Sequence, residues 1–88
     1  MAKQGKQSEA VNQIKEFLSK RGLEIASRNL TLEGNQRWVV FEHGSRQVGV
    51  DSVSGIWLRE SLHDEWRCIA MPCTMSGAIQ AAEFLSKD

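Results

Sequence analysis

Residues 37–50 constrain this chain more than any other stretch, because two runs of strand-forming residues flank Gly44-Ser45, a pair suited to a two-residue hairpin loop. A loop of that length sets His43 opposite Arg46, Phe41 opposite Val48 and Val39 opposite Val50, so one face of the hairpin is uniformly apolar. Such a face needs a covering layer, and the sequence on either side supplies two amphipathic helices.

The first helix is predicted over Glu9–Arg21. Ala10, Val11, Ile14, Phe17 and Leu18 recur at the 3.6-residue period, with Asn12, Gln13, Lys15, Glu16 and Ser19 opposite. Ser8 is its expected N-cap, and Gly22 its stop in the left-handed conformation. Leu23, Ile25, Leu30 and Leu32 then read as one strand with an irregular middle, and Glu33-Gly34-Asn35-Gln36 as a turn into the central hairpin. Asp51-Ser52-Val53-Ser54-Gly55 is the next turn, closed by Asp51 bonding its own backbone. Ile56–Glu60 and Glu65–Met71 form a further hairpin with His63-Asp64 at its tip, which pairs Glu60 with Arg67, Leu58 with Ile69 and Ile56 with Met71. Pro72 ends that strand, and Thr74 caps a second helix carrying Met75, Ala78, Ile79, Ala82 and Leu85 on one side.

The expected fold is α+β: a two-layer sandwich of a four- or five-stranded antiparallel sheet with an N-terminal and a C-terminal helix on one face, in the order α-β-β-β-β-β-α. Eighty-eight residues suffice for one domain, taken as 8–88 behind a flexible polar tail at 1–7. No apolar run approaches the roughly 18 residues of a membrane span, and the first residues lack the apolar stretch of a signal peptide. Free thiols at Cys68 and Cys73 fit a reducing compartment, so the expected location is cytoplasmic, with no membrane partner.

The registers place all three tryptophans on the sheet face away from the helices: Trp38, Val40, Trp57, Arg59 and Trp66, with Cys68 beside them. Trp and Arg are enriched at the energetic centres of protein interfaces, so these five residues are the expected interaction surface, contacting a protein partner or a second copy as a homodimer. Cover by one of the helices is the competing reading, in which the tryptophans are core. The function expected is that of a small, non-enzymatic protein-interaction module, self-associating through this aromatic face.

Two alternatives follow from other residues. Trp stacking with phosphate contacts from Lys3, Lys6, Arg28, Arg37 and Arg46 would make a nucleic-acid-binding module. Eleven basic residues against eleven acidic ones disfavour it; the basic excess is confined to the first 46 residues, which hold eight basic and five acidic groups. A thiol-dependent enzyme would use Cys73 with His43 or His63 as base, but nothing in the spacing brings them together. His63, Cys68 and Cys73 are metal-ligand types without a Cys-x-x-Cys pair or a clear fourth ligand, and Glu42, Asp51 and Glu60 are carboxylates without a neighbouring Lys or ligand histidine. No Gly-rich phosphate loop precedes a helix. Neither catalytic residues, metal nor cofactor are therefore expected.

Overall fold

The computed structural model describes residues 6–87 and shows α1 (Lys6–Lys20), then five strands, β1 (Ser27–Leu32), β2 (Gln36–His43), β3 (Arg46–Val50), β4 (Ile56–Arg59) and β5 (Arg67–Ala70), and finally α2 (Met75–Ser86). The strands form one antiparallel sheet in the order β1-β2-β3-β4-β5, a meander in which each strand pairs with its chain neighbours. This is the α+β architecture expected from the sequence. Residues 1–5, including Lys3 and most of the expected tail, lie outside the described residues. Among the described residues no helix is long and apolar enough to cross a membrane.

Both helices lie on the same sheet face. Ala10, Val11, Ile14 and Leu18 of α1 and Ala78, Ala81, Ala82, Phe84 and Leu85 of α2 pack with Phe41, Val48, Val50, Ile56 and Leu58 into one buried cluster. The central hairpin has the expected register, His43↔Arg46, Phe41↔Val48 and Val39↔Val50, around Gly44 with φ of 63°. That φ at the first loop position fits a turn whose twist matches the strands.

The first helix includes Lys6, three residues before the expected start at Glu9, so Ser8 lies within it and is not its cap. Lys6 and Gln7 consequently belong to the helix and not to a tail. Gln7 Nε2 donates to the carbonyls of Arg37 (2.8 Å) and Val50 (3.1 Å), which ties the first turn to the sheet. At the other end Gly22 does act as the stop, with φ of 76°. Its amide donates to Ser19 O at 2.9 Å, and the Leu23 amide to Leu18 O at 3.0 Å, the paired closure of a Schellman motif.

Leu23 and Ile25 are not in the first strand, which starts at Ser27; they pack against the core from the connection. The β4–β5 register also differs from expectation: Leu58 pairs with Arg67, Trp57 with Cys68 and Ile56 with Ala70, with an irregularity between Ile56 and Trp57. The cause is Trp66, which is drawn over the sheet face instead of entering the ladder, so pairing starts only at Arg67. The irregularity lets Ile69 and Ala70 both pack against the core, while Met71, expected opposite Ile56, is 55% exposed. Thr74 caps α2 as expected, its Oγ1 accepting from the Gly77 amide at 3.0 Å. Met75 belongs outside that helix's buried stripe, being 62% exposed.

Candidate functional site

The face away from the helices is built around Gly49. Alternation and register put Trp38 and Val40 of β2, Gly49 of β3 and Trp57 of β4 on it, with Val40, Gly49 and Trp57 in one cross-strand row. A Cβ at position 49 would lie 2.6 Å from Trp38 Cε3 and 3.4 Å from Trp66 Cη2, so the glycine opens the space in which the indoles meet. Ring centroids of Trp38 and Trp57 are 5.4 Å apart, and those of Trp38 and Trp66 are 5.3 Å apart with planes inclined by 55°. These are favourable tilted aromatic contacts. Trp38 is the centre of the cluster and is 6% exposed, with Val40 at 1%.

Neither helix covers this face. The tryptophans are partly sheltered by one another, with Trp57 and Trp66 half-buried at the surface. The interaction residues expected from sequence therefore divide: Trp38 and Val40 are a buried floor and cannot be contacts, whereas Trp57, Trp66 and Arg59 form the accessible part.

A polar row borders the aromatic cluster. Glu42, Gln47 and Arg59 are directly opposite one another on β2, β3 and β4. Arg59 Nε donates to Gln47 Oε1 at 2.6 Å, Gln47 Nε2 donates to Glu42 Oε2 at 3.3 Å, and Arg28 Nη2 reaches Glu42 Oε1 at 3.3 Å. Gln47 is fully buried, and the row satisfies both ends of its amide. The Arg59 guanidinium sits 4.2 Å from the centroid of Trp66, within cation–π range, and so holds the loop tryptophan against the sheet.

Asp51 fixes the other side of the cluster. Its Oδ1 accepts from the amides of Val53 (2.9 Å) and Gly55 (2.7 Å), the turn closure expected from sequence, and its Oδ2 accepts from Trp57 Nε1 at 2.8 Å. One buried carboxylate thus joins the turn to the indole. With three donors already held, it is committed to structure. Gln47, Gly49 and the Asp51–Trp57 bond were missed in the sequence; a glycine between two valines in mid-strand was the one available signal.

The basic residues of the nucleic-acid reading are not brought together. Arg28 is on the tryptophan face, paired with Glu42. Arg37 and Arg46 alternate to the helix side, where Arg46 Nη1 donates to Lys87 O at 2.5 Å and its guanidinium lies 5.8 Å from the Phe84 ring centroid. Lys6 is in the first turn of α1. For the thiol reading, burial pushes the Cys73 thiol up from its ordinary value, which lowers its thiolate fraction at neutral pH. Its sulfur approaches Gln13 Oε1 (3.7 Å) and Thr74 O (3.4 Å), while His43 Nδ1 is engaged by the Leu85 carbonyl at 2.7 Å. Among the described residues no three or more His, Cys, Asp or Glu side chains converge as a metal site.

Beside Trp66, the loop between β4 and β5 forms an open recess lined by Arg59, Glu60, Asp64, Glu65 and Arg67. Comparison with known proteins finds no matching family model, no matching curated protein and no matching solved structure.

Proposed function

We propose that this chain is a non-enzymatic interaction module that associates with a second copy of itself through the tryptophan face of its sheet. The observation that carries this reading is the placement of both helices on the aliphatic face, which leaves half-buried Trp57 and Trp66, with Arg59 stacked on the latter, at an uncovered sheet surface. Charge supports the second copy as occupant. Arg28, with its side chain 58% exposed, lies at the β1 side of this face, and the recess of Glu60, Asp64 and Glu65, net acidic although Arg59 and Arg67 also line it, lies at the β4–β5 side. A two-fold axis along β3 stacks β1 of each copy over β5 of the other and brings Arg28 to the partner's acidic recess at both ends. The molecule's extents of 40 × 29 × 20 Å leave room on a broad face for the roughly 800 Å² per partner of a stable interface.

Sedimentation velocity over a concentration series tests this. Wild type is expected to associate, Glu65→Arg to weaken association at least about tenfold, equivalent to about 1.4 kcal/mol, and addition of Arg28→Glu to the same chain to restore it. A strictly monomeric wild type overturns the reading, as does a Glu65→Arg chain that associates as tightly as wild type. Steep salt-dependent binding of DNA or RNA by the monomer would favour the nucleic-acid module instead.

A further inference from the structure

Beyond the tryptophan face, the sheet keeps two edges, β1 and β5. The two edges differ. β5 is four residues long, follows an irregular pairing and is succeeded by Pro72. β1 is a regular six-residue strand, Ser-Arg-Asn-Leu-Thr-Leu, with no proline and one charge. Natural edge strands are usually blunted by charges, prolines, bulges or shortness, and β1 has little of this protection.

Which backbone groups of β1 point outward follows from the ladder. The Asp51 amide donates to Gly55 O, so odd-numbered residues of β3 bond toward β4 and even-numbered ones toward β2. Val50, Val48 and Arg46 pair with Val39, Phe41 and His43, which leaves the even-numbered residues of β2 to bond toward β1. Their partners are Arg28, Leu30 and Leu32. Ser27, Asn29 and Thr31 therefore turn their N–H and C=O groups away from the sheet. Among the described residues none of these outward groups has a hydrogen-bond partner outside the ladder.

We propose that β1 pairs antiparallel with β1 of a second copy, about a two-fold axis through Leu30, to make a ten-stranded continuous sheet. Outward groups can bond only to outward groups, which restricts the two-fold axis to positions that set odd-numbered residues against odd-numbered ones. Of these, the axis through Leu30 also sets two half-buried leucines against each other in the closer, non-hydrogen-bonded position, and Asn29 of each copy then faces Thr31 of the other as a doubly hydrogen-bonded pair. Arg28, the strand's single charge, falls opposite Leu32 and not opposite itself, so it keeps its contact with Glu42 and meets no like charge. A self-complementary edge closes on a second copy without requiring a different partner. Since this axis stands on β1 and the face-to-face axis runs along β3, copies joined through both contacts extend as a two-layered ribbon.

Hydrogen exchange and sedimentation on the Glu65→Arg chain, whose tryptophan-face contact is expected to be weakened, isolate the edge. The Asn29 and Thr31 amides are expected to exchange rapidly in dilute protein and at least about tenfold more slowly where dimers predominate, while amides of α1 stay unchanged. Asn29→Pro removes an outward donor and no bond of the β1–β2 ladder, and is expected to raise the dissociation constant at least about tenfold. Leu30→Cys with Cys68 and Cys73 replaced by serine is expected to give an oxidised dimer, whereas Thr31→Cys in that background is not. Concentration-independent exchange at Asn29 and Thr31 overturns the edge pairing even where Asn29→Pro fails to fold. Association lost in Asn29→Pro but unaltered by Glu65→Arg would instead overturn the tryptophan-face reading and leave the edge standing.

Discussion

Replacing Asp51 by asparagine separates the shape of the Asp51 knot from its hydrogen bonding. The side chain is 6% exposed and nearly isosteric with the amide, so packing is conserved. With the amide oxygen retained at the Oδ1 position, the Val53 and Gly55 amides keep their acceptor, but the Nδ2 group then faces Trp57 Nε1, donor against donor. Loss of a hydrogen bond to a charged group costs about 1.5–3 kcal/mol, and the part-buried indole N–H left without an acceptor adds about 1 kcal/mol or more. Asp51→Asn should therefore destabilise by about 3 kcal/mol, which lowers Tm by more than about 10 °C in a domain of this size. Urea unfolding followed by tryptophan fluorescence measures the cost directly. The decisive comparison is the same substitution in a Trp57→Phe background, where the ring remains and the N–H is gone. There the cost should fall by about 1–2 kcal/mol, the coupling expected of two groups in direct contact. Equal costs in the two backgrounds would refute the claim that the carboxylate's main partner beyond its own turn is Trp57.

Gly49→Ala should cost about 1–3 kcal/mol by overpacking against Trp38, with a change in the near-ultraviolet circular dichroism of the indoles; unchanged spectra and stability would remove Gly49 as the floor of the cluster. His43→Ala should cost about 1 kcal/mol, since Nδ1–H donates to the Leu85 carbonyl near the C-terminal end of α2, and helix-selective amide exchange at residues 83–86 should rise first. Alkylation followed by mass spectrometry should modify exposed Cys68 well before Cys73, because burial raises the Cys73 pKa; less thiolate is present at any pH below that raised value, and the gap should narrow as pH rises.

The central hairpin was legible because Gly44-Ser45 fixes the loop length and Val39, Phe41, Val48 and Val50 permit one pairing that keeps a single apolar face. The β4–β5 pairing was not legible, because Trp66 packs on Trp38, a contact between distant parts of the chain, and under Arg59 across its own hairpin. Leu23 and Ile25 show why short alternation misleads: two apolar residues spaced by two also suit a connection that descends onto the core after a Schellman closure. Collection of the tryptophans on one face followed from alternation, but the burial of Trp38 did not, since it depends on the missing side chain at Gly49.

The two ends of the described chain are both fastened to the same hairpin. Gln7 bonds carbonyls 30 and 43 positions away, and His43 and Arg46 hold carbonyls of Leu85 and Lys87 at separations of 42 and 41. Gln7 alone bonds both strands, to Arg37 in β2 and Val50 in β3, and can make its two bonds together only once the hairpin has closed, which predicts that hairpin closure precedes docking of the first turn of α1. Loosening Gly44-Ser45 should slow refolding, whereas releasing the grip of His43 on α2 should chiefly accelerate unfolding.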